Sequence, residues 1–137
     1  MSTPLQAIDN HYNAIIHKDL PNICNKYVPN EHTYVILEGP RLTTVGYTNI
    51  ASGWGSFCAS PILLTSITWT EGPLIQETDH MAWIAGIIEL HITINGKPLH
   101  NTFRATFVLL KQANNWLIQH EHVSVVHPNP YGIGDWL

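Results

Sequence analysis

Segments 103–110 and 116–124 alternate apolar and polar residues on either side of the polar stretch 111–115, and no other pattern limits this chain as strongly. Alternation with period two marks a half-buried strand, and two such runs joined by a short turn-prone loop form an antiparallel hairpin. The loop is expected at Asn114-Asn115. Successive side chains of a strand point to opposite faces, so unbroken alternation puts Trp116, Ile118, His120, His122 and Ser124 on one side and Leu117, Gln119, Glu121 and Val123 on the other. A face that begins with Trp and Ile and ends with His and Ser is apolar at one end and polar at the other, as one wall of a ligand pocket would be. Arg104, on the neighbouring run, is placed on that same face.

Upstream, Ser2-Thr3-Pro4 supplies a cap and a first-turn proline, and Leu5, Ile8, Tyr12, Ile15 and Ile16 recur at helical spacing. Asp19-Leu20-Pro21 restarts a shorter helix to about Tyr27, with the aspartate as its cap. Residues 33–37 are β-branched and aromatic and end at Glu38-Gly39-Pro40, which reads as a strand. Thr48-Asn49 opens a further helix, 48–59, weakened by Gly53 and Gly55. From residue 62 the chain reads as a strand meander, about 62–70, 80–94, 99–111 and 116–126, with Asn95-Gly96 as a strong hairpin signal. Helices about 3–27 and 48–59 followed by a run of antiparallel strands make a single α+β domain, 1–137, whose helices cover one face of a curved sheet. The tail, 127–137, keeps Tyr131, Ile133, Trp136 and Leu137 and is expected to pack.

Composition narrows the function classes. Only 12% of the 137 residues are charged, about half of the roughly 25% usual in soluble domains, so a homodimer or larger assembly is expected to cover part of the surface. A formal charge of −4 with six scattered Lys and Arg leaves no basic stripe for nucleic acid. The longest apolar stretch, 81–94, is interrupted by Glu89 and His91 and falls short of a membrane span, and the first residues lack the basic-then-apolar order of a secretion signal. A soluble, cytoplasmic protein with reduced Cys24 and Cys58 is expected.

The order of elements, together with Arg104-Ala105-Thr106-Phe107-Val108-Leu109 and Trp116-Leu117-Ile118-Gln119-His120-Glu121-His122-Val123-Ser124, resembles the nuclear transport factor 2-like superfamily. Within it, the closing pattern is most similar to the SnoaL-like branch and to the related kinase association domains. The resemblance implies a cone-shaped α+β fold, with N-terminal helices on a curved, mainly antiparallel sheet. It also implies one deep pocket on the concave side and an outer sheet face often used for dimerisation. It places Arg104, His122 and Ser124 on the inner pocket wall. Glu38 lies about one residue from where the superfamily's steroid isomerases carry a proton-shuttling carboxylate. Where those enzymes have a first-helix tyrosine, this chain has His11 with Tyr12 beside it, and no second acid is located for an oxyanion site.

The candidate catalytic residues are therefore His122, Arg104 and Glu38: a base next to a substrate carbonyl, with donors where negative charge develops. Candidate ligand contacts are Tyr12, Trp54, Trp83, Glu89, His120 and Ser124, with Glu89 also a prospective partner for a buried Arg104. His120-x-His122 has the spacing for zinc, but no third ligand is marked, so neither metal nor other cofactor is expected. Two functions fit. One is a small-molecule pocket protein that takes a mostly apolar ligand with a polar or anionic end, as an isomerase, dehydratase or hydrolase. The other is an association module with a vestigial pocket.

Overall fold

The computed structural model describes residues 2–132. Helix α1 spans Pro4–Ile16; Thr3 caps it, accepting from the Gln6 N–H while the Gln6 side chain returns the bond. Its buried stripe is Pro4, Ala7, Ile8, His11, Ala14 and Ile15, so a histidine occupies a core position. Helix α2, Leu20–Cys24, starts at its Asp19 cap. Strands β1 (Tyr34–Ile36) and β2 (Thr44–Val45) precede helix α3, Tyr47–Ala59. The short β2 was not expected, and α3 begins behind Gly46 rather than behind a Thr48-Asn49 cap.

Four long strands follow: β3 (Ile62–Glu77), β4 (Met81–Ile94), β5 (Lys97–Gln112) and β6 (Asn115–Ser124). They form one six-stranded sheet in the order β2-β1-β6-β5-β4-β3. β3 runs well past residue 70 by bending at register shifts between Trp69, Glu71 and Leu74. Gly86 faces that bend, where any side chain would collide with the Glu71 carbonyl and the Trp69 ring. Asn95 and Gly96 both take positive φ, as a two-residue hairpin turn requires. The last turn lies one residue earlier than expected, since Gln112 pairs with Asn115 and Ala113 takes a φ of 54°. The expected packing of Ile133, Trp136 and Leu137 lies outside the described residues, while Tyr131 is largely exposed.

The helices cover one face of the curved, unclosed sheet. The core between them contains Ile8, Tyr27, Ile84, Ile88, Phe107, Leu109, Trp116 and Ile118.

One irregularity decides which side chains enter that core. Val108 pairs with His120 and Leu109 with Ile118, so Gln119 has no partner on β5 and forms a bulge. On its other edge β6 changes partner at the same point. Val28 donates to the Ile118 carbonyl (2.9 Å) and Ile118 to the Lys26 carbonyl (2.7 Å), whereas β1 pairs in parallel with 120–122. The extra residue resets the alternation. Trp116 and Ile118 point inward before the bulge, Glu121 and Val123 after it, all four buried. His122 and Arg104 are exposed and occupy the opposite face, as do His120 and Ser124. The expected inner wall of Arg104, His122 and Ser124 is thus corrected: unbroken alternation does not survive the bulge.

Candidate functional site

A cavity of about 620 Å³ opens between the helices and the inner sheet face. Its walls are mostly apolar: Ile15 from α1, Trp54 and Phe57 from α3, and Ile67, Ile88, Leu90, Phe103 and Val123 from the sheet. Tyr12, Glu38 and Glu121 are the acidic and phenolic side chains on the lining, and Arg41 stands exposed at the mouth among residues 38–44.

Of the expected site residues, Tyr12, Trp54 and Glu38 line this cavity; Arg104, His120, His122, Ser124, Trp83 and Glu89 do not. Arg104 donates to the Val125 carbonyl at 2.9 Å, which leaves Glu89 free to accept from His91 at 2.8 Å. His120 donates from Nδ1 to the Tyr34 carbonyl and stacks on the Tyr34 ring. Trp83 is 40% exposed on the outer face beside Val108. Among the described residues no three His, Cys, Asp or Glu side chains converge as a metal site.

The acid that alternation put outside is the centre of the site. Glu121 is 2% exposed, opposite Phe107 on β5, and accepts a short 2.5 Å bond from the Tyr27 hydroxyl. Tyr27 Oη accepts from Trp54 Nε1 at 3.0 Å and lies 3.2 Å from His11 Nε2. Burial without a cation pushes Glu121 up to about 8, against the Tyr27 bond and assisted by the charge of Glu38. The same burial drives His11 down to about 3, with Lys26 contributing, so the imidazole is neutral. Tyr27 rises well above the usual phenol range, first by burial and then by Glu121.

Two further groups complete the polar end. The Tyr12 hydroxyl is buried with no hydrogen-bond partner among the described residues, although Tyr12 lines the cavity. A buried hydroxyl left without a partner on a residue that lines a cavity is a place for a ligand atom. Glu38 keeps contact with solvent at the mouth, yet enough protein surrounds it that burial raises its pKa.

A neutral acid, a free phenol and a second carboxyl at the entrance thus share one apolar chamber. Such a set can donate hydrogen bonds to a developing oxyanion and remove a proton nearby.

Comparison with known proteins places the fold in a family. Residues 5–128 match the family model described as SnoaL-like domain. The chain belongs to that family. A search of curated proteins returns no match to this SnoaL-like domain. Among solved structures it is similar to a nuclear transport factor 2-like superfamily protein from Salmonella enterica, with 21% identity, 95% of this chain and 93% of that one covered, and a TM-score of 0.78. It is also similar to a protein from Thiobacillus denitrificans described as a calcium/calmodulin-dependent protein kinase type II association domain (20%, 93% and 98%, 0.73). A third is a ketosteroid isomerase-like protein from Erwinia carotovora atroseptica (17%, 90% and 93%, 0.72). At these identities the likeness establishes the nuclear transport factor 2-like α+β fold of the SnoaL-like domain and nothing of its chemistry.

Sequence reasoning missed Glu121, Tyr27 and the role of His11. A signal for the first was present. Trp116 and Ile118 are two apart, but the next large apolar residue, Val123, follows Ile118 by five, an odd interval that strict alternation cannot keep on one face. His11 falls on the observed stripe at 4, 7, 8, 11, 14 and 15, and it was hidden by its polarity and by the larger apolar residues Leu5, Tyr12 and Ile16, which drew the expected stripe one position round the helix.

Proposed function

We propose that this SnoaL-like domain binds a small, mostly apolar molecule whose polar end is a neutral carbonyl, and moves a proton next to that carbonyl. Support comes foremost from Glu121, a carboxyl buried on the wall of an apolar cavity without a cationic partner. With its pKa near 8 it is neutral at pH 7 and, when a carbonyl is bound and Tyr27 donates to its other oxygen, serves as a hydrogen-bond donor, with the unpartnered Tyr12 hydroxyl as a second. Glu38, at the mouth, is the base. Its raised pKa brings a carboxylate closer to the working range of a general base. Isomerisation or dehydration of a carbonyl compound is the reaction class these roles fit.

An anionic ligand end, expected when Arg104 was assigned to the wall, is disfavoured by two carboxyls and by the lack of a buried cation on the lining. The open cavity and its buried acid also weigh against a vestigial pocket. We further propose that the outer sheet face, where Leu74 is 63% and Trp83 40% exposed, pairs with a second copy of the chain.

The test uses 2-decalone as probe, following Trp54 fluorescence for binding and deuterium exchange at the carbons beside the carbonyl by NMR. Saturable quenching with accelerated exchange is expected. Binding without exchange would remove the catalytic part, and neither would remove both.

A further inference from the structure

Tyr27 Oη has one hydrogen and three neighbours that compete for it. The indole Nε1 of Trp54 only donates, so it always fills one lone pair of the hydroxyl. The remaining lone pair and the hydrogen must be divided between Glu121 Oε1 at 2.5 Å and His11 Nε2 at 3.2 Å. Two divisions satisfy the Tyr27 hydroxyl. In the first, His11 carries its proton on Nε2 and donates to Tyr27, which donates to Glu121. In the second, Glu121 carries a proton on Oε1 and donates to Tyr27, which donates to a bare His11 Nε2. The His11 proton then sits on Nδ1, toward the Ile23 backbone. Nδ1 makes no hydrogen bond in the arrangement observed, which fits the first division, with Nδ1 a bare lone pair.

The divisions differ at the far oxygen of Glu121. When Tyr27 donates to Oε1, a protonated Glu121 must hold its proton on Oε2, and that oxygen is a donor. When Glu121 donates through Oε1, Oε2 is a carbonyl oxygen and an acceptor. We propose that His11 is a positioning residue: through Tyr27, its tautomer sets whether Glu121 offers the cavity a proton donor or an acceptor. Proton bookkeeping closes. The second division holds three protons, on Glu121, Tyr27 and Nδ1, and the ionised form of the first holds two, on Tyr27 and Nε2. Loss of one proton from the second division, the neutral form expected without a ligand, therefore accompanies a change of tautomer in a ring that stays neutral; a bound carbonyl, which needs a donor, selects the protonated first division, which ionises without that change. Such coupling rests on the reading of the cavity as a ligand site only for its use, not for its existence.

The titratable groups facing this chain are few. Glu38 acts on Glu121 from the mouth, Glu121 acts on Tyr12 of α1, and Lys26 acts on His11 from the segment after α2. Among the described residues none of Glu38, Tyr12 and Lys26 is hydrogen-bonded to His11, Tyr27 or Glu121, so a concerted response is assigned to those three themselves.

The test needs no variant to begin with. Imidazole 15N NMR of the wild-type protein, titrated from pH 6 to 9.5, should show His11 exchanging Nδ1–H for Nε2–H with the same midpoint as the Glu121 carboxyl carbon and without forming imidazolium. One unchanging tautomer through the Glu121 titration would overturn the proposal. His11→Phe, which removes the donor that strengthens the Tyr27 bond to the carboxylate, should raise the Glu121 midpoint by about one pH unit, and His11→Gln, which keeps a donor and an acceptor near Nε2, should restore it. An unmoved midpoint in folded His11→Phe would reduce His11 to packing. Saturable 2-decalone quenching with an uncoupled His11 would sink this inference and leave the pocket. A coupled His11 without probe binding would do the reverse.

Discussion

The two faces of the β5–β6 hairpin carry equally polar residues to opposite ends. On the inner face Glu121 has lost nearly all contact with water, and its environment is built around it by Tyr27, Trp54 and His11. On the outer face Arg104 and His122, the residues that looked most functional in the sequence, are exposed, and Arg104 is satisfied by a backbone carbonyl. The difference teaches that residue type marks potential chemistry, while burial decides whether it is realised. A glutamate in an apolar chamber becomes a neutral acid.

The comparison breaks most visibly in the core. Phe107 is fully buried beside Tyr12 and opposite Glu121, so Phe107→Ala should cost about 3–5 kcal/mol in chemical denaturation, whereas Val108→Ala on the other face should cost less than about 1 kcal/mol. Similar costs for both would mean that the faces are not differently packed. Chemistry should divide the same way. Glu121→Gln and Glu38→Gln should slow probe deuterium exchange by roughly 100-fold, and Arg104→Ala and His122→Ala should stay within about twofold.

Stability against pH sharpens the contrast further. Glu121 is held near 8 against an ordinary 4.5, so between those values the unfolded chain has released a proton that the folded one keeps, and stability falls as pH rises. His11 is held near 3 against 6.5, so stability also falls as pH drops through that interval. The opposing slopes, about 1.4 kcal/mol per pH unit for a single group, cancel between 4.5 and 6.5 and leave a plateau there. Thermal melts of Glu121→Gln should lose the decline above the plateau and keep the one below it. The smallest effect is expected on the outer face. Trp83→Lys should convert a dimer to monomer in sedimentation while leaving probe binding unchanged; a monomeric wild type would remove the proposed pairing.

Most of the framework was legible in the sequence because it depends on local periodicity. Helix α1, the Asp19 cap and the Asn95-Gly96 turn each have a short-range cause, and all three are in the structure, although of the expected stripe on α1 only Ile8 and Ile15 are fully buried, with Leu5, Tyr12 and Ile16 half-buried. The site was legible only in part. Tyr12, Trp54 and Glu38 line the cavity, as expected of site residues, but the bulge at Gln119 arises where β6 exchanges the 26–28 segment for β1, a tertiary event that the alternation within 116–124 does not reveal. Tyr27 was out of reach for a related reason. Helix α2 stops at Cys24 instead of running on to about Tyr27, which forms a β-bridge with Ile118, and only the fold brings it to Glu121, 94 residues away.

Isotope-edited infrared spectroscopy of the glutamate carboxyls at pH 7 reaches the inner-face acid most directly. A carbonyl band of a protonated carboxyl, absent from Glu121→Gln and bleaching with a midpoint near 8, is the expected result. A Glu121 fully ionised at pH 7, titrating near 4.5 like a carboxyl in water, would contradict it.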